Sequence, residues 1–396
     1  MGRVTESDGK ARSLAVLCVA VALTLSVWFA GTAAVPRLLA DGLVTPGRAA
    51  WLTAAVQLGF VAGTLVSAVL SLADRRDPRR LFMASALVAA AATLAQTLVA
   101  PSGAAALALR FVAGAAMAGV YPVGMKLAAS WSRGDLGVLI GLLVGALTLG
   151  SALPHLIPTL LGGIGWRAAY LGAGILAALG GLTILAFRAG PLMGARPPFR
   201  PSQMLEAWRN PGLRLANIGY LGHMWELYAM WAWIGLFLAM VLGHAGVGPL
   251  VFGVVAAGAI GSVLAGLVAD RWNRARVAAG CMVVSGCCAL VIGATAPWPM
   301  LALAIAFVWG FAVVADSAQF SACVVSLSPP DYVGTMLTVQ TSMGFLLTAV
   351  MIGVLPWMMA TLGFAAAFAL LGIGPLVGAV AMWRLAPMLP RQSLPR

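Results

Sequence analysis

The stretch ADRRDPRR at residues 73–80 returns 196 positions later as ADRWNRAR at residues 269–276. Asp74 and Asp270 stand at the same point in the two copies. The same offset relates six further pairs of identical residues: Arg75 and Arg271, Arg80 and Arg276, Phe111 and Phe307, Gly114 and Gly310, Ser130 and Ser326, and Asp135 and Asp331. Chance seldom aligns so many residues at one register, so the sequence indicates an internal duplication.

Long apolar segments surround both copies. The chain is 62% hydrophobic and only 9% charged, whereas soluble domains carry about 25% charged residues. Segments of twenty or more apolar residues can cross about 30 Å of hydrocarbon as helices, while a barrel strand needs only about ten residues. We therefore predict an all-α membrane protein with twelve transmembrane helices, at 14–36, 51–72, 81–100, 104–130, 136–160, 166–187, 215–242, 248–268, 277–296, 299–326, 334–357 and 363–385.

The duplication divides these helices into two parallel halves, a layout that many secondary transporters share. The predicted organisation is an N-terminal tail at 1–13, a six-helix bundle at 14–188, a linker at 189–214, a second six-helix bundle at 215–385 and a C-terminal tail at 386–396. The linker is rich in proline and arginine.

Basic residues are distributed unevenly along the chain. Of 24 Lys and Arg residues, twenty fall in the tails and alternate loops, three fall on the opposite side, and Arg110 lies within a span. This asymmetry predicts that both termini are cytoplasmic. We expect a plasma membrane location, in the inner membrane of a bacterium. The formal charge of +13 therefore encodes orientation, and we expect no nucleic-acid partner.

The paired loops resemble those of the major facilitator superfamily, whose loop signature is roughly G-x-L-x-D-R-x-G-R-R. The second copy matches at Gly266, Asp270, Arg271 and Arg274, with Asn273 at the second glycine; the first has Asp77 there. The resemblance covers essentially the whole chain and implies a transporter that works by alternating access. It further implies that Asp74, Arg75, Asp270 and Arg271 form a cytoplasmic gate, although an orientation signal alone would also explain them.

Span seven carries two ionisable residues, His223 and Glu226, inside the aromatic stretch YLGHMWELYAMWAW at 220–233. Glu226 lies about 16 Å into the helix, near the middle of the membrane. A charge at that depth is costly, so such residues face a bundle interior or an aqueous cavity. His223, Glu226 and Tyr228 are thus candidates for binding substrate or protons, and a His–Glu pair that fixes helix packing is the alternative.

Span four carries Arg110, followed on the same helical face by Gly114 and Tyr121. Arg110 and Gly114 resemble the fourth-helix arginine motif of the superfamily, although no glutamine precedes the glycine. An arginine fork suits oxyanions. The sequence leaves two roles open for Arg110: binding an anionic substrate, or pairing with Glu226 or Asp316.

Four further residues complete the candidate site. Asp316 lies in span ten, His155 follows a proline in span five, and Gln340 lies in span eleven. Trp28 in span one could line an apolar pocket together with Tyr228. Asp316 could instead pair within the C-terminal half, and His155 could instead serve helix packing.

Secondary transport is the function that these features favour. The chain offers neither an HExxH nor a GxSxG motif, so we expect no enzyme activity, and it lacks the GxxxxGK[ST] loop that ATP-driven transport requires. We predict proton-coupled uptake of a small anionic or zwitterionic solute by a monomer that needs no cofactor or metal. Efflux of an amphipathic compound, and a receptor or scaffold without transport, are the alternatives.

Overall fold

A computed structural model describes residues 6–162, 164–194, 199–243 and 246–389, and for residues 6–8 and 330 it describes the backbone alone. Parts of the predicted tails and linker (1–5, 195–198 and 390–396) lie outside the described residues. Within the described residues every regular element is helical, either α or 3₁₀.

Seventeen α-helices follow one another along the described chain. The N-terminal half contains α1 (Glu6–Ala40), α2 (Pro46–Val69), α3 (Leu72–Arg75), α4 (Pro78–Ala95), α5 (Ala104–Met117), α6 (Tyr121–Ala129), α7 (Leu136–Ala152), α8 (Ile157–Leu160) and α9 (Arg167–Thr183). The linker and the C-terminal half contain α10 (Glu206–Arg209), α11 (Pro211–Leu242), α12 (Gly248–Ala269), α13 (Arg274–Ile292), α14 (Pro299–Ala315), α15 (Ser317–Leu327), α16 (Val333–Leu371) and α17 (Ile373–Leu385).

Several helices begin earlier than the sequence predicts, and α1 and α11 show why. Helix α1 starts at Glu6, so part of the predicted N-terminal tail is helical. Helix α11 starts at Pro211, where the Asn210 side chain accepts hydrogen bonds from the NH groups of Gly212 and Leu213. An asparagine cap followed by proline favours the first helical turn, and this local signal overrides the polar composition of the linker.

Eleven helical segments of the described chain are long and apolar enough to cross a membrane. The last, Val333–Met388, has 56 residues and would be about 84 Å long as one straight helix, far more than the bilayer core. Gly363 interrupts it with φ 81° and ψ 164°, a conformation that glycine adopts readily. The segment has room for two spans, and the count of twelve stays a prediction.

The duplication is visible in the packing of each half. A Cβ at Gly114 would collide with the backbone of Val56 in α2, and one at Gly310 would collide with the backbone of Val254 in α12. Helices α2 and α5 thus approach as closely as α12 and α14 do, because glycine at the contact lets two backbones meet. The fourth span of each half is also interrupted, after Met117 and at Asp316.

The two signature loops differ from the superfamily pattern for a local reason. Asp77 accepts a hydrogen bond from the NH of Arg79 at the start of α4, and Asn273 accepts bonds from the NH groups of Ala275 and Arg276 at the start of α13. Where the signature has its second glycine, each copy here has a residue that caps the next helix.

Two antiparallel helix pairs join the halves: α7 packs against α12, and α2 packs against α16. We call the end of the bundle that carries residues 71–77 and 270–273 the basic face. Helices α2 and α12 run toward this face, while α7, α11 and α16 start from it. These directions show how far each residue of a helix lies from the basic face.

Candidate functional site

A cavity of about 160 Å³ lies between the two halves. Its polar lining comes from both of them: Thr64, Tyr121, Tyr220, His223, Tyr228, Ser317, Ser321, Thr338 and Thr341. The described residues that line it include no Arg, Lys, Asp or Glu. Apart from the tyrosines, His223 is the lining side chain that can change its charge. The cavity therefore offers hydroxyl groups and one imidazole in an otherwise apolar wall.

Aromatic rings close the cavity on the side away from the basic face. The Trp28 ring stacks on Tyr228 with centroids 6.1 Å apart and planes 11° apart, and Phe60 meets Phe345 at 4.5 Å. Trp231 contacts the Tyr228 ring edge-on at 5.4 Å. These residues come from α1, α2, α11 and α16, so the cluster crosses the interface between the halves. We call it the aromatic roof.

The cavity continues toward the basic face. A second cavity of about 120 Å³ shares Thr64, Pro122, Gly334 and Thr338 with the first and reaches Asp74 and Lys126. Thr64 lies nearer the basic end of α2 than Phe60 does, and Thr338 precedes Phe345 on α16. The hydroxyl groups thus face the open side and the aromatic roof faces the closed side.

The interruptions in the fourth spans position part of the lining. Tyr121 is the first residue of α6 and Ser317 is the first residue of α15. The two are 196 positions apart, so they are equivalent in the duplication. Broken helices commonly expose binding groups in transporters, and here each half presents one side chain to the cavity from its break.

His223 connects the cavity to a buried acid. Its Nδ1 lies 2.8 Å from Oδ1 of Asp316, and its Nε2 lies 2.9 Å from the Ser317 hydroxyl. Asp316 is 2% exposed and does not line the cavity. The sequence predicts both residues as candidates but does not predict that they pair.

Glu226 faces away from the cavity, into the C-terminal half. Ser285 donates a hydrogen bond to its Oε2 at 2.6 Å, and the Trp309 indole NH donates to its Oε1 at 2.7 Å. Neither predicted role, cavity wall or partner of His223, matches these contacts. Because His223 and Glu226 are three residues apart, they point in directions about 60° apart around α11, and each meets a different neighbour.

Arg110 is fully buried and also lies outside the cavity. Its Nε donates to the carbonyl of Leu52 at 3.0 Å, Nη1 to that of Val27 at 3.0 Å and Nη2 to that of Trp28 at 2.8 Å. From the sequence, the partner of the Arg110 guanidinium is either a substrate anion or the carboxylate of Glu226 or Asp316. In the structure its partners are three backbone carbonyls on α1 and α2.

The other candidates occupy separate places. Trp28 donates to Gln57 at 3.0 Å within the aromatic roof. Gln340 donates to Asn217 at 3.2 Å, buried between α16 and α11. His155 is buried at the far end of α7, where its Nε2 has no partner among the described residues. Of these three, none lines the cavity, whereas Tyr121 and Tyr228 do.

The cavity also contains groups that are not among the candidates predicted from the sequence, above all Tyr220 and Ser317. Tyr220 lies two turns before Tyr228 on the same face of α11. Ser317 could have been found from Tyr121 through the 196-residue offset. Thr338 and Thr341, in contrast, carry no signal of their own, because threonine is common in apolar helices.

The predicted gate residues are arranged differently in the two halves. Asp74 bonds to Lys126, whose ammonium also donates to the Ala73 carbonyl at 2.8 Å. Asp270 lies 4.0 Å from Arg274 and directly beside Gly137, in the first turn of α7 in the other half. Burial raises the pKa of the Asp270 carboxyl above its ordinary value. Arg75 and Arg271 are exposed.

The sequence model of the Major Facilitator Superfamily matches residues 16–348. The chain belongs to the major facilitator superfamily. Among curated proteins, none matches the sequence. The crystal structure of the human organic anion transporter MFSD10 (TETRAN) resembles it, with a TM-score of 0.67, 17% identity, and coverage of 94% of this chain and 99% of that chain.

Membership of the superfamily confirms several predictions. The chain is an integral multi-pass membrane protein, a secondary transporter and not an enzyme, and its substrate is a small molecule. The likeness to MFSD10 supports the fold alone, because only 17% of the residues are identical.

Proposed function

We propose that the protein takes up a small solute with an apolar body and an anionic or zwitterionic group, coupled to protons and by alternating access. The observation that carries this proposal is the cavity, in which hydroxyl groups and His223 face one side and aromatic rings close the other. In this proposal the basic face and both termini are cytoplasmic, in the inner membrane of a bacterium, and the protein acts as a monomer.

Alternating access is supported by the unequal ends of the cavity. The aromatic roof holds the halves together at one end, while the second cavity leads from Thr338 to Asp74 at the other. Rocking of the halves along the α7–α12 and α2–α16 contacts would open the roof and close the basic face. Each half would move as a rigid body.

Spin labels test this movement without any knowledge of the substrate. After replacement of the five native cysteines, one pair of labels is placed at Arg80 and Arg276 on the basic face and a second at Leu43 and Met300 on the opposite face. We expect two distance populations in each pair, shifting in opposite directions between the pairs when the pH changes. A single unchanged distance in both pairs would contradict alternating access.

Proton coupling is supported by the pair of His223 and Asp316. Histidine is the side chain that ordinarily titrates closest to neutral pH, and this one lies between the cavity and a buried carboxylate. A proton on the pair balances the negative charge of Asp316. A proton and a solute anion that enter together would keep the charge of the site constant. The pair, not Glu226, is therefore the proton site that we propose.

The coupling test begins with a thermal-shift screen of carboxylates, inorganic anions, amino acids and lipophilic cations. With the solute that stabilises most, Asp316→Asn and His223→Gln should retain exchange across proteoliposomes but lose accumulation driven by a pH gradient. The matched variant Glu226→Gln removes a buried carboxylate that does not face the cavity, and coupling should survive in it. Full proton-driven accumulation in Asp316→Asn would refute this assignment.

Efflux is the second candidate, and the aromatic roof favours it, because a wall of rings suits amphipathic compounds. The neighbour of known structure is described as an organic anion transporter, which agrees with an anionic solute in either direction. Proteoliposomes decide the direction. Uptake predicts that solute moves with the proton gradient, and efflux by exchange predicts that it moves against it.

A further inference from the structure

Three tyrosines face one another across the cavity. Tyr121 comes from the N-terminal half, and Tyr220 and Tyr228 come from α11 in the C-terminal half. Tyr220 and Tyr228 are eight residues apart, about 12 Å along the helix axis, with His223 between them. All three lie within electrostatic range of one another.

The three tyrosines line the cavity, and among the described residues their hydroxyl groups have no hydrogen-bond partner. Other polar side chains nearby already have partners within the protein. His223 is held by Asp316 and Ser317, and the Trp28 indole donates to Gln57. Each phenol can donate one hydrogen bond. The cavity thus holds three neutral donors that a bound solute can use.

The charges around the cavity favour an anion as the group that accepts these bonds. Among the described residues no carboxylate lines the wall, and Asp316 lies behind His223. The way in from the basic face passes the ion pair of Lys126 and Asp74, and the loops at that end are rich in arginine. Such a positive potential raises the local concentration of anions.

The aromatic roof indicates the chemical character of the rest of the solute. Tyr228 belongs to both sets, because it lines the cavity while its ring stacks on Trp28 and lies 5.3 Å from Phe345. A solute that reaches Tyr228 has its remaining atoms against the rings of Phe60, Trp231 and Phe345, which line the cavity beside it. A flat apolar body fits that surface, since aromatic rings prefer offset stacking or edge contacts.

We propose that Tyr121, Tyr220 and Tyr228 bind the oxyanion of the solute through their hydroxyl groups, and that the cargo is a small organic monoanion with a flat apolar body. This inference rests on the proposed transport function and names its substrate class. The anion is recognised by neutral donors beside His223, and Arg110 plays no direct part.

Three probes of the same size test the inference on the purified full chain at pH 7: benzoate, benzamide and benzyltrimethylammonium. Binding is followed by tryptophan fluorescence and checked by calorimetry. We expect benzoate to bind about tenfold or more tightly than the other two. Each of Tyr121→Phe, Tyr220→Phe and Tyr228→Phe should weaken benzoate about tenfold, the effect of losing one hydrogen bond to a charged group. Binding of benzamide should change little.

Tyr170→Phe is the matched control, because Tyr170 is buried in α9 and does not line the cavity. It should bind benzoate like the unmodified protein.

Three outcomes would overturn the inference: equal or tighter binding of benzamide or benzyltrimethylammonium, absence of benzoate binding, or unaltered benzoate binding in all three cavity variants. The spin-label distances test transport separately. If the distances change while benzoate has no preference, the substrate class is wrong; if benzoate is preferred but the distances stay fixed, the transport mechanism is wrong.

Discussion

The first and fourth spans of each half are joined by buried polar contacts, and the two halves make these contacts with different groups. In the N-terminal half, Arg110 on α5 donates to the carbonyls of Val27 and Trp28 on α1. In the C-terminal half, Trp309 on α14 donates to Glu226 on α11. In these contacts the fourth span supplies the donor, and the acceptor is the backbone in one half and a carboxylate in the other. The C-terminal half adds a contact of the opposite sense, in which Asp316 of the fourth span faces His223 of the first.

This difference shows how one chain can hold buried charges without tying its halves together. A buried polar group must find a partner, because an unsatisfied one is costly in hydrocarbon. Arg110 finds its partners within the N-terminal half, and Glu226 and Asp316 find theirs within the C-terminal half. The cavity between the halves is lined by rings, hydroxyl groups, aliphatic side chains and His223, with no Arg, Lys, Asp or Glu among the described residues. Halves that rock against each other then need not break these buried charge contacts.

The largest effect is expected at Arg110. Arg110→Met removes three buried hydrogen bonds from a charged donor, although each carbonyl keeps the backbone NH of its own helix. We expect a loss of about 3 kcal/mol or more in the free energy of unfolding. Arg110→Lys should also be strongly destabilised, because one ammonium cannot reach carbonyls on two helices. Melting temperature and the monodisperse fraction in detergent measure both.

The double variant Arg110→Gln with Glu226→Gln sharpens this comparison. Groups without shared partners contribute additively, so its loss of stability should equal the sum of the two single losses. Recovery in the double variant would show that the two residues pair. An Arg110→Lys protein of full stability but weak benzoate binding would instead return Arg110 to the solute site.

The second effect is expected at Trp309. Trp309→Phe removes the indole NH that donates to Glu226 and should cost about 1–3 kcal/mol, since the carboxylate keeps only part of its hydrogen bonding. Trp231→Phe is the matched variant, because the Trp231 indole NH has no partner among the described residues. Both variants lose the same ring volume. Equal melting temperatures would mean that the bond to Glu226 contributes nothing.

The sequence predicts that Arg110, Glu226 and Asp316 need special surroundings, because any charge at mid-membrane does. It does not predict the partners. Backbone carbonyls carry no side-chain signal, so the acceptors of Arg110 cannot be read from residue types. His223 and Asp316 lie 93 positions apart, in helices whose relative rotation the hydrophobic pattern does not determine.

The duplication carries the information that survives best from sequence to structure. It predicts the two similar loops, the equal glycine contacts at Gly114 and Gly310 and, through the same offset, the equivalence of Tyr121 and Ser317. It fails where the halves differ. Asp74 and Asp270 match in sequence, yet one bonds to Lys126 in its own half and the other lies beside α7 in the opposite half.

That asymmetry predicts a third effect. Asp270 lies at the N-terminus of α7, where a negative charge stabilises by about 0.3–1 kcal/mol, so Asp270→Asn should shift the populations at the Arg80–Arg276 label pair up to about fivefold away from the open basic face, in which this contact is formed. Asp74→Asn should shift them much less. Because burial raises the pKa of Asp270, the unmodified protein should show part of the same shift as the pH falls. Equal shifts in the two variants would make the loops equivalent.

The smallest effect concerns the caps. Asp77 and Asn273 cap α4 and α13 in the same way, but only Asp77 titrates. The hydrogen bond from the Arg79 side chain lowers the pKa of Asp77. A carboxyl whose pKa is lower in the folded state contributes stability above its unfolded pKa of about 3.9 and loses it as the pH falls through the folded pKa. The ion pair of Asp77 and Arg79 is partly exposed, so its contribution to stability at neutral pH is about 0.5 kcal/mol or less.

Asp77→Asn keeps a good cap and should lower the melting temperature slightly at pH 7 but not at pH 3. Asn273→Asp places a carboxylate beside Arg274 and should create the converse pH dependence in the other half. If Asp77→Asn lowers stability equally at both pH values, the cap and not the charge explains its role, and the two loops differ in composition without differing in physics.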